Sequence, residues 1–151
     1  VGRELAEALD LQKINYVVVE YNPLTVRELR ELGMPVVYGD VGNPAVLQHA
    51  RLEKASLLAV LVHDDAATEV AVRYARTQNP ALDIVARASN QETIPKLRAA
   101  GASDVVQPEF EAGVEVIQQV FLKFGIHGDE LEDLVGERRT TFYRHWERPQ
   151  G

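Results

Sequence analysis

Short apolar runs alternate with stretches in which apolar residues recur at every third or fourth position, and this alternation continues to about residue 106. The short runs, expected as strands, lie at 16–20, 35–38, 57–62, 83–87 and 104–106. The longest, 57–62, is wholly apolar and suits a central strand buried on both faces. The intervening stretches read as amphipathic helices: Leu5, Ala6, Ala8, Leu9 and Leu11 after Gly2; Val26, Leu29 and Leu32 after Pro23; Val46, Leu47 and Ala50 after Pro44. Strands and helices alternating at this spacing predict the α/β class, with a Rossmann-like doubly wound and mostly parallel sheet.

Punctuation sharpens the helix limits. Asn22-Pro23 and Asn43-Pro44 each place a capping side chain before a proline suited to the first helical turn, and Gly33 stops the first of these helices. His63-Asp64-Asp65 opens a helix through about Thr77, and Ser89-Asn90 caps one over 91–100 that ends at Gly101. The organisation expected is a nucleotide-binding unit over 1–108, a helix over 109–125 and a polar tail over 126–151. No internal repeat or low-complexity segment interrupts it.

The 151 residues are 46% hydrophobic and 26% charged, the balance of a compact domain with a real core. Their net charge of −7 argues against nucleic-acid binding, because phosphate contacts need a basic surface. Zero cysteines exclude disulfides and thiolate metal sites and fit a reducing compartment. No apolar run approaches the 18 or so residues of a membrane span.

Candidate chemistry begins at Gly2, which reads as the last glycine of a phosphate-binding loop running into a helix. The first strand and the start of that loop are expected to lie outside the chain, as the absence of an initiator Met also suggests. In the strand order 3-2-1-4-5-6 that strand is central, so the runs 16–20 and 57–62 are expected to lack a partner between them. These residues alone would then make no stable fold, unless that strand is supplied from outside the chain. Glu20, an acid at the tip of the second strand about 20 residues past the glycines, stands where the ribose hydroxyls of NAD are read. It also fits an ordinary solvated strand end. Asp64-Asp65 reads equally as a helix cap and as a ligand contact. His63 reads as a hydrogen-bonded structural residue or a ligand contact, and the four histidines show no metal spacing.

An ordered set of motifs carries a resemblance. Tyr38-Gly39-Asp40-Val41-Gly42, the strand ending at Val62 with Asp64-Asp65, Ile84-Val85-Ala86-Arg87-Ala88, and Leu97 to Ala102 leading to Val106-Gln107-Pro108-Glu109 are together similar to the domain that regulates potassium conductance (RCK/KTN, TrkA-N type). The likeness covers about residues 1–125 and is strongest to the cytoplasmic domains of glutathione-gated potassium/proton antiporters. It implies an adenine nucleotide ligand, NAD(H) or AMP, ADP or ATP. Gly2, Glu20, Asp40, Val41, Val62, His63, Asp64 and Arg87 would be its contacts, with no catalytic and no metal residue. Asp40 and Val41 match the turn that holds adenine, and Arg87 matches a basic residue that reaches phosphates. An arginine ending an otherwise apolar strand itself favours a functional role. Glu109 resembles an acid that holds a divalent ion beside the nucleotide in some members.

Helix 109–125 carries Phe110, Val114, Ile117, Phe121 and Phe124 at spacings of 4, 3, 4 and 3, widened by Val116 and Val120. It reads as covering its own sheet or, as the resemblance implies, as building a homodimer. Beyond Gly125, an acidic short helix at 129–134 and a mixed-charge end with Phe142, Tyr143 and Trp146 read as docking onto the dimer partner, onto a membrane subunit, or as a loosely packed end. Nothing in 107–151 has the length or composition of a substrate domain, so no enzyme is expected. The resemblance implies a regulatory domain at the cytoplasmic face of the membrane that gates a membrane-embedded potassium transporter. The nucleotide half of an NAD-dependent oxidoreductase and a dimerisation module without ligand are the competing readings.

Overall fold

The computed structural model describes residues 1–145, so Trp146 and the rest of the expected tail lie outside the described residues. The elements run α1 (Gly2–Leu11), β1 (Val18–Glu20), α2 (Pro23–Glu31), β2 (Val36–Tyr38), α3 (Pro44–His49), a 3-10 turn (Leu52–Lys54), β3 (Leu57–Val60), α4 (Asp65–Gln78), β4 (Asp83–Arg87), α5 (Thr93–Ala100), β5 (Asp104–Val106), α6 (Pro108–Lys123) and α7 (Asp129–Arg144). The two Asn-Pro starts work as the sequence implies. Asn22 Oδ1 accepts from the amides of Leu24 (2.9 Å) and Thr25 (3.4 Å), and Asn43 Oδ1 accepts from Ala45 N (3.1 Å).

All strand pairs are parallel and form two sheets, β1-β2 and β3-β4-β5. These are the two flanks of the expected strand order, and among the described residues β1 and β3 are not paired with each other. The fold is α/β and Rossmann-like. Two strands are shorter than the apolar runs that announced them: Tyr16 and Val17 precede β1, and Leu61 and Val62 follow β3. A strand extends only as far as its neighbour's ladder, and β2 offers β1 three residues.

The main core lies between β3-β5 and helices α4 and α5. Val60, Ala71, Val72, Ala75, Leu82, Ile84, Ala86, Ile94 and Leu97 are buried there in one cluster. One cation holds its far end together. Arg76, near the end of α4, donates to the carbonyls of Gly101 (Nη2, 2.7 Å), Pro80 (2.8 Å) and Leu82 (2.8 Å), joining α4 to the segments that enter β4 and β5. Gly101 sits in the left-handed region at φ +116°, and a Cβ there would lie 2.9 Å from Arg76 Cγ.

The C-terminal segment departs from expectation. The short acidic helix is one end of the 16-residue α7, which folds back along α6. Leu131 and Val135 pack on Val114, with Phe110, Phe121 and Leu134 around them. Phe142 stacks on Phe110 with ring centroids 3.7 Å apart, and both Phe142 and Tyr143 reach the main core. Much of the α6 stripe is therefore covered by α7 of the same chain rather than by the sheet. Tyr143 closes the joint: its hydroxyl accepts from Gln107 N (3.2 Å) and donates to Glu111 Oε1 (2.9 Å), and Arg139 pairs with Glu111 at 2.8 Å. Burial, with a further contribution from the Glu111 carboxylate, pushes the Tyr143 phenol up to about 12.

Gly101→Ala combines a strained backbone with a collision against Arg76 and is expected to destabilise the domain by about 1–3 kcal/mol, read by chemical denaturation. Tyr143→Phe leaves the Gln107 amide without its acceptor and is expected to cost about 1–3 kcal/mol at neutral pH. The phenol holds its proton more tightly folded than unfolded, so its contribution is complete below about pH 10 and is lost as pH rises toward 12. The stability difference between wild type and Tyr143→Phe should stay constant to about pH 10 and shrink above it.

Candidate functional site

Glu20 ends β1 and Arg87 ends β4, while Val62 and His63 follow β3. A chain of short contacts brings the expected site residues to this carboxyl-terminal side of the strands. The carbonyl of Glu20 accepts from Gly39 N at 2.9 Å, which attaches the β1 tip to the turn after β2. Within that turn Asp40 Oδ1 accepts from Gly42 N at 2.8 Å, and the Asp40 carbonyl accepts from Asn43 N at 3.0 Å. This Asx turn aims the loop at α4. The Cβ position of Gly42 lies 3.3 Å from Ala67 Cβ in the first turn of that helix. Val41, beside it, packs against the main core. On the other side, the Cβ position of Gly2 lies 4.0 Å from Leu61 Cδ1, so the start of α1 abuts the end of β3.

Side-chain roles separate at this point. Asp64 is the cap of α4: its Oδ1 accepts from Ala66 N (2.9 Å) and Ala67 N (3.0 Å), while its carbonyl accepts from the Thr68 hydroxyl. Glu20 is half-buried, and its Oε1 accepts from Asn22 N at 2.8 Å. The His63 side chain is exposed, and its carbonyl accepts from Ser89 Oγ at 2.9 Å. Arg87 is 7% exposed. Its Nη1 donates to Ser89 Oγ at 3.3 Å, and among the described residues it forms no ion pair. The side chain is mostly buried while the guanidinium edge stays open to solvent, a cation with room beside it for an anion.

Ser89 and Thr93, which also have a part here, were not singled out as ligand-side groups from the sequence, and Asp65 has a role other than those read for it. Asp65 was read, with Asp64, equally as a cap and as a ligand contact, and its carboxylate instead spans the gap to the β4–α5 loop. Oδ1 accepts from Ser89 N (3.0 Å) and Oδ2 from Thr93 Oγ1 (2.8 Å). Ser89 was read as a helix cap, and instead its hydroxyl links Arg87 to the β3 loop. The cap over the start of α5 comes from Asn90, whose Oδ1 accepts from Thr93 N at 3.0 Å. Glu109 Oε2 accepts from the Gln107 side chain (Nε2, 2.7 Å), and among the described residues no three His, Cys, Asp or Glu side chains gather as a metal site would require. Two surface grooves, about 470 and 520 Å³, run along α2 and α4 and include none of these groups.

The TrkA-N domain model matches residues 1–108. The chain belongs to the TrkA-N family. Among curated proteins, this TrkA-N chain is 29% identical over 144 residues to a putative K(+) efflux antiporter KefB of Alkalimonas amylolytica, covering 95% of the chain and 22% of that relative. It spans about a fifth of the length of the curated relatives it matches first. Among solved structures, the TrkA-N domain of the inner membrane protein YbaL from Escherichia coli superposes with a TM-score of 0.75 at 33% identity, over 79% of this chain and 88% of that one. The GsuK channel bound to NAD superposes with a TM-score of 0.70 at 26% identity, over 76% of this chain and 21% of that one. Among the described residues of this TrkA-N chain, no helix is long and apolar enough to cross a membrane.

Because Asp64 caps α4, Asp64→Ala should lower stability by about 0.5–2 kcal/mol while Asp64→Ser retains most of it. Thermal denaturation of the two variants checks this; equal losses would show that the carboxylate, not the cap, is needed.

Proposed function

We propose that this TrkA-N domain binds an adenine nucleotide, NAD(H) or AMP, ADP or ATP, and in doing so regulates a membrane-embedded potassium transporter. The observation that carries the reading is Arg87, a buried cation with no ionic partner among the described residues, at the end of a strand where open α/β sheets receive their ligands. Phosphate supplies the missing charge. Glu20 accepts the ribose hydroxyls, a carboxylate that would repel a 2′-phosphate. Asp40 and Val41 shape the turn against adenine, and Gly2 gives the phosphates access to the start of α1. Val62 and His63 line the crevice, and Asp64 fixes the first turn of α4 beside it.

In this reading the domain works as a sensor rather than as an enzyme, coupling ligand binding to the transporter. The NAD-bound GsuK channel and the KefB-like relative support both the ligand class and the attachment to potassium transport. In this reading the domain lies at the cytoplasmic face of the membrane. It acts as a homodimer through the helix over 109–125. With Phe110, Val114 and Phe121 occupied by α7, the pairing face of that helix is Val116, Val120 and Phe124, which are 61%, 46% and 80% exposed. Gly113 on the same helix has no atom within 4 Å of its Cβ position, which lets a second helix approach closely. Nucleotide binding changes the dimer geometry, and a coupling of about 1–3 kcal/mol to the transporter is the usual scale.

Calorimetric titration of the full-length protein with NAD, NADH, AMP, ADP and ATP tests the reading. Arg87→Gln is expected to weaken the preferred nucleotide about 10- to 100-fold, the worth of one charged hydrogen bond. Glu20→Ala should weaken it through the ribose. Wild-type protein that binds none of the five, or an Arg87→Gln protein that binds as wild type does, would overturn the assignment.

A further inference from the structure

We infer that Asp65 is the positioning residue for Arg87, holding the β4–α5 loop so that the guanidinium is presented to the ligand's phosphate. This rests on the nucleotide reading above. Both Asp65 oxygens are filled, by Ser89 N at 3.0 Å and by Thr93 Oγ1 at 2.8 Å, and Thr93 is buried. The carboxylate stands in the first turn of α4, where the helix dipole favours negative charge, and it reaches residues 24 and 28 positions further along the chain.

The contacts that follow define what the carboxylate does. With its amide held by Asp65, Ser89 turns its hydroxyl toward two partners, donating to the His63 carbonyl (2.9 Å) and accepting from Arg87 Nη1 (3.3 Å). The loop after β3 and the loop after β4 are thus closed onto each other through one serine. Arg87 lies opposite Val106 in the ladder to β5, and Ala88 N donates to the Val106 carbonyl at 2.9 Å, so its backbone is fixed. The long side chain is the part left to orient, and Ser89 is the one side-chain partner it has among the described residues. Asp65 touches no ligand in this scheme. It removes the freedom of the loop that aims the group that does, and preorganisation of this kind lowers the ordering cost of binding.

The test is a double-mutant cycle in the full-length protein, with AMP as the probe and affinity read by calorimetry. Asp65→Ala is expected to weaken AMP about tenfold, Arg87→Gln at least as much, and the double variant no more than Arg87→Gln alone. Asp65→Asn keeps an acceptor for Ser89 N and should recover most of the affinity. Thr93→Val removes one of the two bonds with little change of shape, and it should show the same dependence on Arg87 at smaller scale even where Asp65→Ala fails to fold. Losses that add in the double variant, or an Asp65→Ala protein that is less stable but binds AMP as wild type does, would overturn the positioning role while leaving the nucleotide site standing. Loss of the Arg87→Gln effect itself would overturn both.

Discussion

Strand β4 is the element with a partner on both edges, and the rest of the molecule is organised by what that position demands. A strand flanked by β3 and β5 needs an apolar face toward the helices that cover it, and on that face Ile84, Ala86 and, just past the strand, Ala88 are fully excluded from solvent. Leu97 and Ile94 of α5 and Ala71, Val72 and Ala75 of α4 close over it. Arg87 breaks the run at the carboxyl end, where the sheet stops and ligand chemistry begins. The burial that stabilises the sheet is also what partly desolvates the arginine, so stability and affinity for an anion share one source. At the opposite end Arg76 solves the same problem differently, with three backbone carbonyls in place of a ligand.

The candidate site is built by loops that would be independent were they not tied together. Glu20 holds Gly39, the Asp40 turn leans on Ala67, and Asp65 holds Ser89. Each link is a single hydrogen bond or a single van der Waals contact. Together they carry the β1 tip, the turn after β2, the start of α4 and the end of β4 in one connected arrangement. Tyr143 adds a further connection, because the Gln107 amide it receives follows directly on β5, the strand paired with Arg87. Helix α7 is thereby joined to the ligand-facing edge of the sheet.

What was legible in the sequence was what depends on near neighbours. Asn22 and Asn43 cap helices two residues away, Gly33 and Gly101 end them, and the apolar runs mark every strand. Arg87 stood out because an arginine is costly in that company. The ties from Asp65 to Ser89 and Thr93 were not legible, because the partners lie more than twenty residues apart and Asp65 and Ser89 each also suit a cap. Asp64 and Asp65 are adjacent and chemically identical, and only the direction of each side chain separates the cap from the tie. Helix α7 was underestimated for a different reason. Leu131, Leu134, Val135 and Phe142 do repeat at helical spacing, but Glu137, Arg138 and Arg139 between them read as a solvated end until Glu111 supplies the partner for Arg139.

The main core cluster begins at Leu47 and runs to Val105, whereas Ala6, Val26 and Leu29 are the buried apolar side chains of the first 46 residues and stand outside it. Arg87 therefore sits on the packed three-stranded sheet and Glu20 on the two-stranded one. A molecule held by both residues at once would be a bridge between the two sheets.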